Sequence, residues 1–204
     1  DGSRVWLNDA SSLRYTGTGE KRTLILEGEG FFDIKTDSSS VFEVLAGNSV
    51  TKVLGTSFNI DARDESSVNI RVASGRVAFG GSSQGLTPIN LERGEQAVLD
   101  EQGKELLKLE DIGENVSVWQ TNKLIFDKVN LNQIAKELNE FASLKLTFDE
   151  AGIGACLITM EVDLEDSRIR NEQQGAVLAV MSDGEVVRSP GVDVATMQST
   201  LCVR

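Results

Sequence analysis

The chain has 204 residues, of which 40% are apolar and 25% charged, an ordinary globular composition long enough for one large core or two modest ones. Its 32 acidic residues against 20 basic ones leave a net charge of −12, which repels phosphate backbones and anionic lipid and sets nucleic acid aside as a partner. With no histidine, and with Cys156 and Cys202 far apart, the chain has no zinc ligand set and room for one optional disulfide at most.

The opening Asp1-Gly2 reads as a turn dipeptide feeding a strand, with no secretory leader, so the start is expected to be a cut inside a larger protein. From residue 4 to about residue 109, short apolar runs recur at intervals of roughly 8 to 12 residues, the spacing of stacked antiparallel strands or a coiled sheet. Among them are 5–7, 13–15, 23–26, 31–34, 41–45, 50–54, 57–62, 68–72, 76–79, 89–91 and 96–99, divided by turns such as Gly47-Asn48 and Arg93-Gly94-Glu95. No helical period competes in this half. The central stretch is 49–62, where Val53, Phe58 and Ile60 alternate around Gly55. That pattern predicts a bent pair of strands, with glycine where another backbone comes close.

Past residue 106 the alternation fades and the chain turns acidic through Glu110, Asp111 and Glu114, which predicts a linker over 111–117 between a domain at 1–110 and another at 118–204. Residues 123–126 read as a strand. Asn130 then serves as a helix N-cap, with Gln133 completing a capping box, and Leu131, Ile134, Ala135, Leu138 and Ala142 share one apolar face while Lys136, Glu137 and Glu140 face out. Strands are expected at 145–148 and 157–162. A weaker helix follows Asp166, with Ile169, Ala176, Val177 and Val180 on one side and Gly175 inside it at roughly 1 kcal/mol against alanine, and a last strand at 185–188. The uncharged run at 175–181 is far short of the roughly 20 residues of a membrane span. The fold class is thus mainly β: an all-β coiled or sandwich, solenoid-like domain, then a small α+β domain of βαβ type.

Side chains that could carry chemistry are few. Glu27, Glu29 and Asp33 could form a carboxylate cluster, but the glycines around them point to backbone crowding, and solvated or turn-bonded carboxylates are the plainer reading. Asp33 stands where a third glycine of a dinucleotide loop would be, which excludes that site. Asp61, Asp64 and Glu65, or Glu161, Asp163 and Glu165, could hold a hard cation, yet neither set has calcium-loop spacing. Trp6, Phe31, Phe32 and Phe58 could make a sugar-stacking platform, though core is the better reading because Phe31 and Phe32 must point to opposite faces. Asn115-Val116-Ser117 matches a glycosylation acceptor, a pattern common by chance.

Four segments in order carry a resemblance: Asp-Gly-Ser-Arg-Val-Trp-Leu-Asn at 1–8 with Ser12-Leu13-Arg14-Tyr15, Leu-Glu-Gly-Glu-Gly-Phe-Phe-Asp-Ile at 26–34, and Val-Leu-Gly-Thr-Ser-Phe-Asn-Ile at 53–60. Together with Ser74-Gly75-Arg76-Val77 and Glu92-Arg93-Gly94-Glu95-Gln96-Ala97 they resemble the periplasmic part of FecR-type anti-sigma factors over about residues 1 to 100. Trp119, Leu124-Ile125-Phe126 and the helix from Leu131 are similar to the short N-terminal domain of secretins and TonB-dependent receptors. Past Leu164 the chain departs from the second repeat of that domain.

The resemblance implies a protein that crosses the inner membrane once through a helix outside this sequence. It holds an extracytoplasmic-function sigma factor on its cytoplasmic side and receives nutrient status from a TonB-dependent outer-membrane transducer. This chain would be the periplasmic receiving half, a protein-binding module with no cofactor, metal or catalytic residue. A two-layer βα unit offers open strand edges, and strand addition binds another module without a pocket. The transducer's signalling domain is therefore expected at 124–126 or 157–162, with Leu124, Ile125, Phe126, Leu157, Thr159 and Glu161 as contacts. A secreted carbohydrate-binding or adhesion module is the alternative from another class.

Overall fold

A computed structural model describes residues 1–17, 22–37, 40–64, 66–82, 86–100, 105–109, 115–142, 157–164, 179–180, 186–187 and 196–198. The expectations for residues 145–148, for most of the helix beyond Asp166 and for Cys156 and Cys202 lie outside them. The chain forms two compact units, Asp1–Ile112 and Gly113–Arg204.

The first unit is a sheet of eleven strands: β1 (Arg4–Leu7), β2 (Ser12–Tyr15), β3 (Arg22–Asp33), β4 (Phe42–Ala46), β5 (Ser49–Val53), β6 (Ser57–Ala62), β7 (Ser67–Ser74), β8 (Arg76–Gly81), β9 (Ile89–Glu92), β10 (Gln96–Asp100) and β11 (Leu106–Leu109). Their order is β11-β10-β7-β6-β3-β4-β5-β8-β9, with β1 and β2 also on β3. The sheet curls into two leaves because β3 serves both. Its first part pairs β2 and, in parallel, β4, whereas its last part pairs β1 and β6. Partners change at Gly28, whose φ of 96° suits glycine, and where an added Cβ would sit 2.3 Å from Ser11 Oγ. Between the leaves the alternating apolar residues form one core. Phe32 and Phe58, partners in register, stack at 5.1 Å with no exposed surface, and each buried ring contributes on the order of 2 kcal/mol by leaving water.

The stretch 49–62 forms the two expected strands, broken at Gly55, and the two do not pair with each other. β5 pairs β4 and β8 in one leaf, β6 pairs β3 and β7 in the other, and Gly55 marks the crossing. The crowding expected there is present, since a Cβ on Gly55 would lie 2.5 Å from Thr36 Cα. Residues 34–37 run alongside, the Ile34 N–H donating to the Thr56 carbonyl and the Asp37 N–H to that of Leu54. The crossing from β7 to β8 touches the same place: a Cβ on Gly75, φ 78°, would lie 2.8 Å from the Gly55 carbonyl oxygen, and the Thr56 hydroxyl donates to the Arg76 carbonyl at 2.8 Å. A third crossing, from β9 to β10, is tied to β7 through Gly94 N–H to Val72 O and Val72 N–H to Glu95 O. Three of the sequence motifs are therefore the corners of one folded sheet. β11 occupies 106–109, where alternation fades in the sequence, by pairing with β10 in register Gln96↔Leu109.

The second unit contains α1 (Val118–Thr121), β12 (Lys123–Asn130), α2 (Leu131–Ala142), β13 (Leu157–Asp163), β14 (Ala179–Val180), β15 (Val186–Val187) and β16 (Thr196–Gln198). One sheet runs β12-β13-β16, and β14 pairs β15 separately. Val180, expected on a helix, is in a strand. β12 and β13 are antiparallel. β12 runs past residue 126 by way of a bulge, with register shifting after Phe126 and Lys128 at φ 54°. Asn130 caps α2 as expected, its Oδ1 accepting the Gln133 N–H at 2.9 Å. The box is not closed, because the Gln133 amide donates forward to Glu137 Oε1 at 3.0 Å. Leu131, Ile134 and Leu138 of α2 pack with Leu124, Phe126, Met160 and Val162 into a second core.

Candidate interaction surface

β12 and β13 divide their side chains between two faces, as strand alternation requires. Leu124 and Phe126 point inward and are fully buried, so only their backbone is open to a partner. Ile125 points outward at 42% exposure, and Leu157, on the outer face of β13, is 47% exposed. Ile125 registers with Glu161, so the outer face carries Ile125, Leu157, Thr159 and Glu161 among charged neighbours. Glu161 Oε1 receives Lys123 Nζ at 2.5 Å, and that hydrogen bond with its charge raises the Lys123 pKa. Thr159 pins the bulge: its hydroxyl donates to Asp127 Oδ1 at 3.0 Å and accepts the Lys128 N–H at 3.1 Å.

The two strands expected to offer an edge differ. β13 is interior, flanked by β12 and by β16, whose Gln198 and Thr196 register with Thr159 and Glu161, so strand addition at 157–162 is blocked there. Among the described residues β12 is the terminal strand of this sheet. Its outward donors meet side chains: the Lys123 N–H reaches Thr121 Oγ1 at 3.3 Å and the Ile125 N–H reaches Asn115 Oδ1 at 2.7 Å. Asn115 Nδ2 in turn donates to Glu137 Oε2 at 2.6 Å, which makes Glu137 half-buried rather than outward-facing. The described part of the expected linker, residues 115–117, is buried, and Asn115, at 6% exposure, is no accessible glycosylation acceptor.

In the first unit each carboxylate of the supposed cluster has its own partner. Glu27 accepts the Ser12 hydroxyl at 3.1 Å. Asp33 accepts Arg4 at 2.7 Å and Ser57 at 3.0 Å, and these hydrogen bonds hold its pKa below the usual carboxylate value. Glu29, 5% exposed, takes Asn8 Nδ2 at 2.7 Å and Arg63 at 2.8 Å on one oxygen and Asn59 Nδ2 at 2.9 Å on the other. The Glu29 network escaped the sequence reading. Its one signal was Asn59, a poor strand former placed between Phe58 and Ile60.

The aromatic platform is dispersed as well. Phe32 and Phe58 are core, and Trp6 packs on Phe31 at 5.9 Å with the Arg4 guanidinium 5.2 Å over its ring. For the acidic loop, burial of Asp61 favours its neutral form. The hydrogen bonds and charge of Arg63 outweigh burial and lower its pKa. Asp64 accepts the Ser66 N–H, and Glu65 lies outside the described residues. Among the described residues no group of three potential ligands converges on a metal position, and no helix is long and apolar enough to cross a membrane.

Comparison with known proteins agrees with this architecture. The model of the FecR protein family matches residues 1–78. Two crystal structures of a protein from Parabacteroides distasonis ATCC 8503 assigned as an anti-sigma factor, at 1.65 and 2.50 Å resolution, each align with a TM-score of 0.55 and 27% identity. Each alignment covers 81% of this chain and 78% of the other. No curated protein matches the chain. The chain is thus similar to FecR proteins over residues 1–78, and that match with these neighbours supports an anti-sigma factor role.

Proposed function

We propose that the chain is the periplasmic, signal-receiving part of a transmembrane anti-sigma factor. The second unit binds the signalling domain of a TonB-dependent outer-membrane receptor, and the chain relays nutrient status to an extracytoplasmic-function sigma factor held by a cytoplasmic part beyond this sequence. The division is a FecR-like β domain at 1–110, a linker at 111–117 and a domain like the short N-terminal domain of secretins and TonB-dependent receptors at 118–204.

The observation that carries this reading is the terminal strand β12 beside an outer face bearing exposed Ile125 and Leu157. A partner strand laid along residues 124–126 would gain main-chain hydrogen bonds, and Ile125, Leu157, Thr159 and Glu161 would supply side-chain contacts. Because Ile125 and Leu157 are exposed, replacing them leaves the core intact. Ile125→Glu and Leu157→Glu should each weaken binding of the purified signalling domain by about tenfold in calorimetric titration, as loss of an interface anchor does. Unchanged affinity in both variants, or no binding by the natural chain, overturns the proposal.

A further inference from the structure

We infer that Asn115 is a displaceable latch on the docking edge, its side chain standing where a partner strand's backbone carbonyl would accept the Ile125 N–H. This rests on the reading of β12 as the docking strand. In an antiparallel ladder alternate residues of a terminal strand donate outward, and β12 has its outward donors at Lys123 and Ile125 before the bulge at Asp127 and Lys128 interrupts the edge. Both donors are met by side chains rather than by a strand, Lys123 by Thr121 Oγ1 at 3.3 Å and Ile125 by Asn115 Oδ1 at 2.7 Å. The first is long and within the same turn. The second is short and comes from ten positions up the chain.

Asn115 is held in place from its other end. Its Nδ2 donates to Glu137 Oε2 at 2.6 Å, and Glu137 Oε1 is itself oriented by Gln133 Nε2 at 3.0 Å on the first turns of α2. One side chain therefore joins the segment entering the second unit to both layers of that unit. A strand added at 124–126 must take the Ile125 N–H, so docking and the Asn115 contact exclude each other. Docking then frees the segment entering the second unit at Asn115. The occupant is an extended segment presenting a backbone carbonyl at Ile125 and an apolar side chain toward Ile125.

Hydrogen exchange and titration with the receptor's signalling domain test the latch. In the free chain Asn115→Ala should speed exchange of the Ile125 amide at least about tenfold while α2 amides stay protected, and Glu137→Ala should do the same without altering the segment. Each variant should bind the signalling domain about three- to tenfold more tightly, because the edge no longer has to be opened first. In the natural complex the Ile125 amide should stay protected. Faster exchange at Ile125 with equal or weaker binding overturns the latch and leaves the docking reading standing. Unchanged exchange at Ile125 in both variants also overturns it. Absence of binding by all three proteins removes the docking reading and the latch with it.

Discussion

Glu29 shows how this fold buries a charge: one carboxylate, two amides and one guanidinium, with each oxygen engaged. Thr51 shows the opposite. Its side chain is buried with no exposed surface, and its hydroxyl has no hydrogen-bond partner among the described residues. A buried hydroxyl without a partner costs free energy that an isosteric methyl does not, so Thr51→Val should raise stability by about 1 kcal/mol. A higher urea midpoint at unchanged slope would show it, whereas a lower midpoint would mean the hydroxyl is satisfied in solution. The ionised residues set a pH window. Asp33, Asp61, Asp64 and Glu95 all have lowered pKa values: Asp33 through Arg4, Asp61 through Arg63 against burial, Asp64 through Ser66 and Glu95 through Lys108. Their stabilisation is present above the unfolded carboxylate pKa of about 4 and is lost as pH falls through the lowered folded values. Lys123 has the reverse sign, its contribution being lost only as pH rises through its raised value. The melting temperature should thus be level near neutrality and drop below about pH 4, more shallowly in Asp61→Asn. A drop beginning near pH 6 would contradict this.

Among elements, glycines at corners separate two kinds of constraint. Gly28 has φ 96° and a Cβ there would overlap Ser11, whereas Gly94 has φ 81° with nothing within 4 Å. Gly94→Ala should therefore cost only the left-handed strain, about 1 kcal/mol, while Gly28→Ala adds overpacking of about 1–3 kcal/mol and disturbs the point where β3 changes leaves. Equal losses in denaturant titrations would mean that Ser11 moves freely aside. Most strands were legible because apolar alternation marks their faces, as at Phe58, Ile60, Ile70 and Val72. Their partners were not. Whether β5 pairs β6 or crosses to another leaf depends on residues far along the chain, and alternation is the same in both cases. β11 was hidden by its sequence, Leu106-Leu107-Lys108-Leu109, which has no period of two. The bulge at Asp127 and Lys128 lacks a glycine and so gave no warning. The helix cap at Asn130 was legible since it depends only on local spacing.

For the molecule as a whole, two cores without a shared residue follow one another in the chain, and motif order over residues 1 to 100 was enough to point to the FecR family. The strand proposed for docking was only half legible. The strand through Leu124, Ile125 and Phe126 was read from its pattern, but burial of the first and third, and the hold of Asn115 on Ile125, arise from packing that a linear pattern does not encode. Asn115 itself stood out in the sequence for a modification that its burial prevents. The central proposal is that this chain works by contact with another protein through the second unit. Chemical-shift mapping of the isotope-labelled chain against the signalling domain of its receptor tests that claim most directly. The account predicts perturbations centred on residues 123–127, Leu157, Thr159 and Glu161 and spreading to Asn115; perturbations confined to residues 1–100, or none at all, would contradict it.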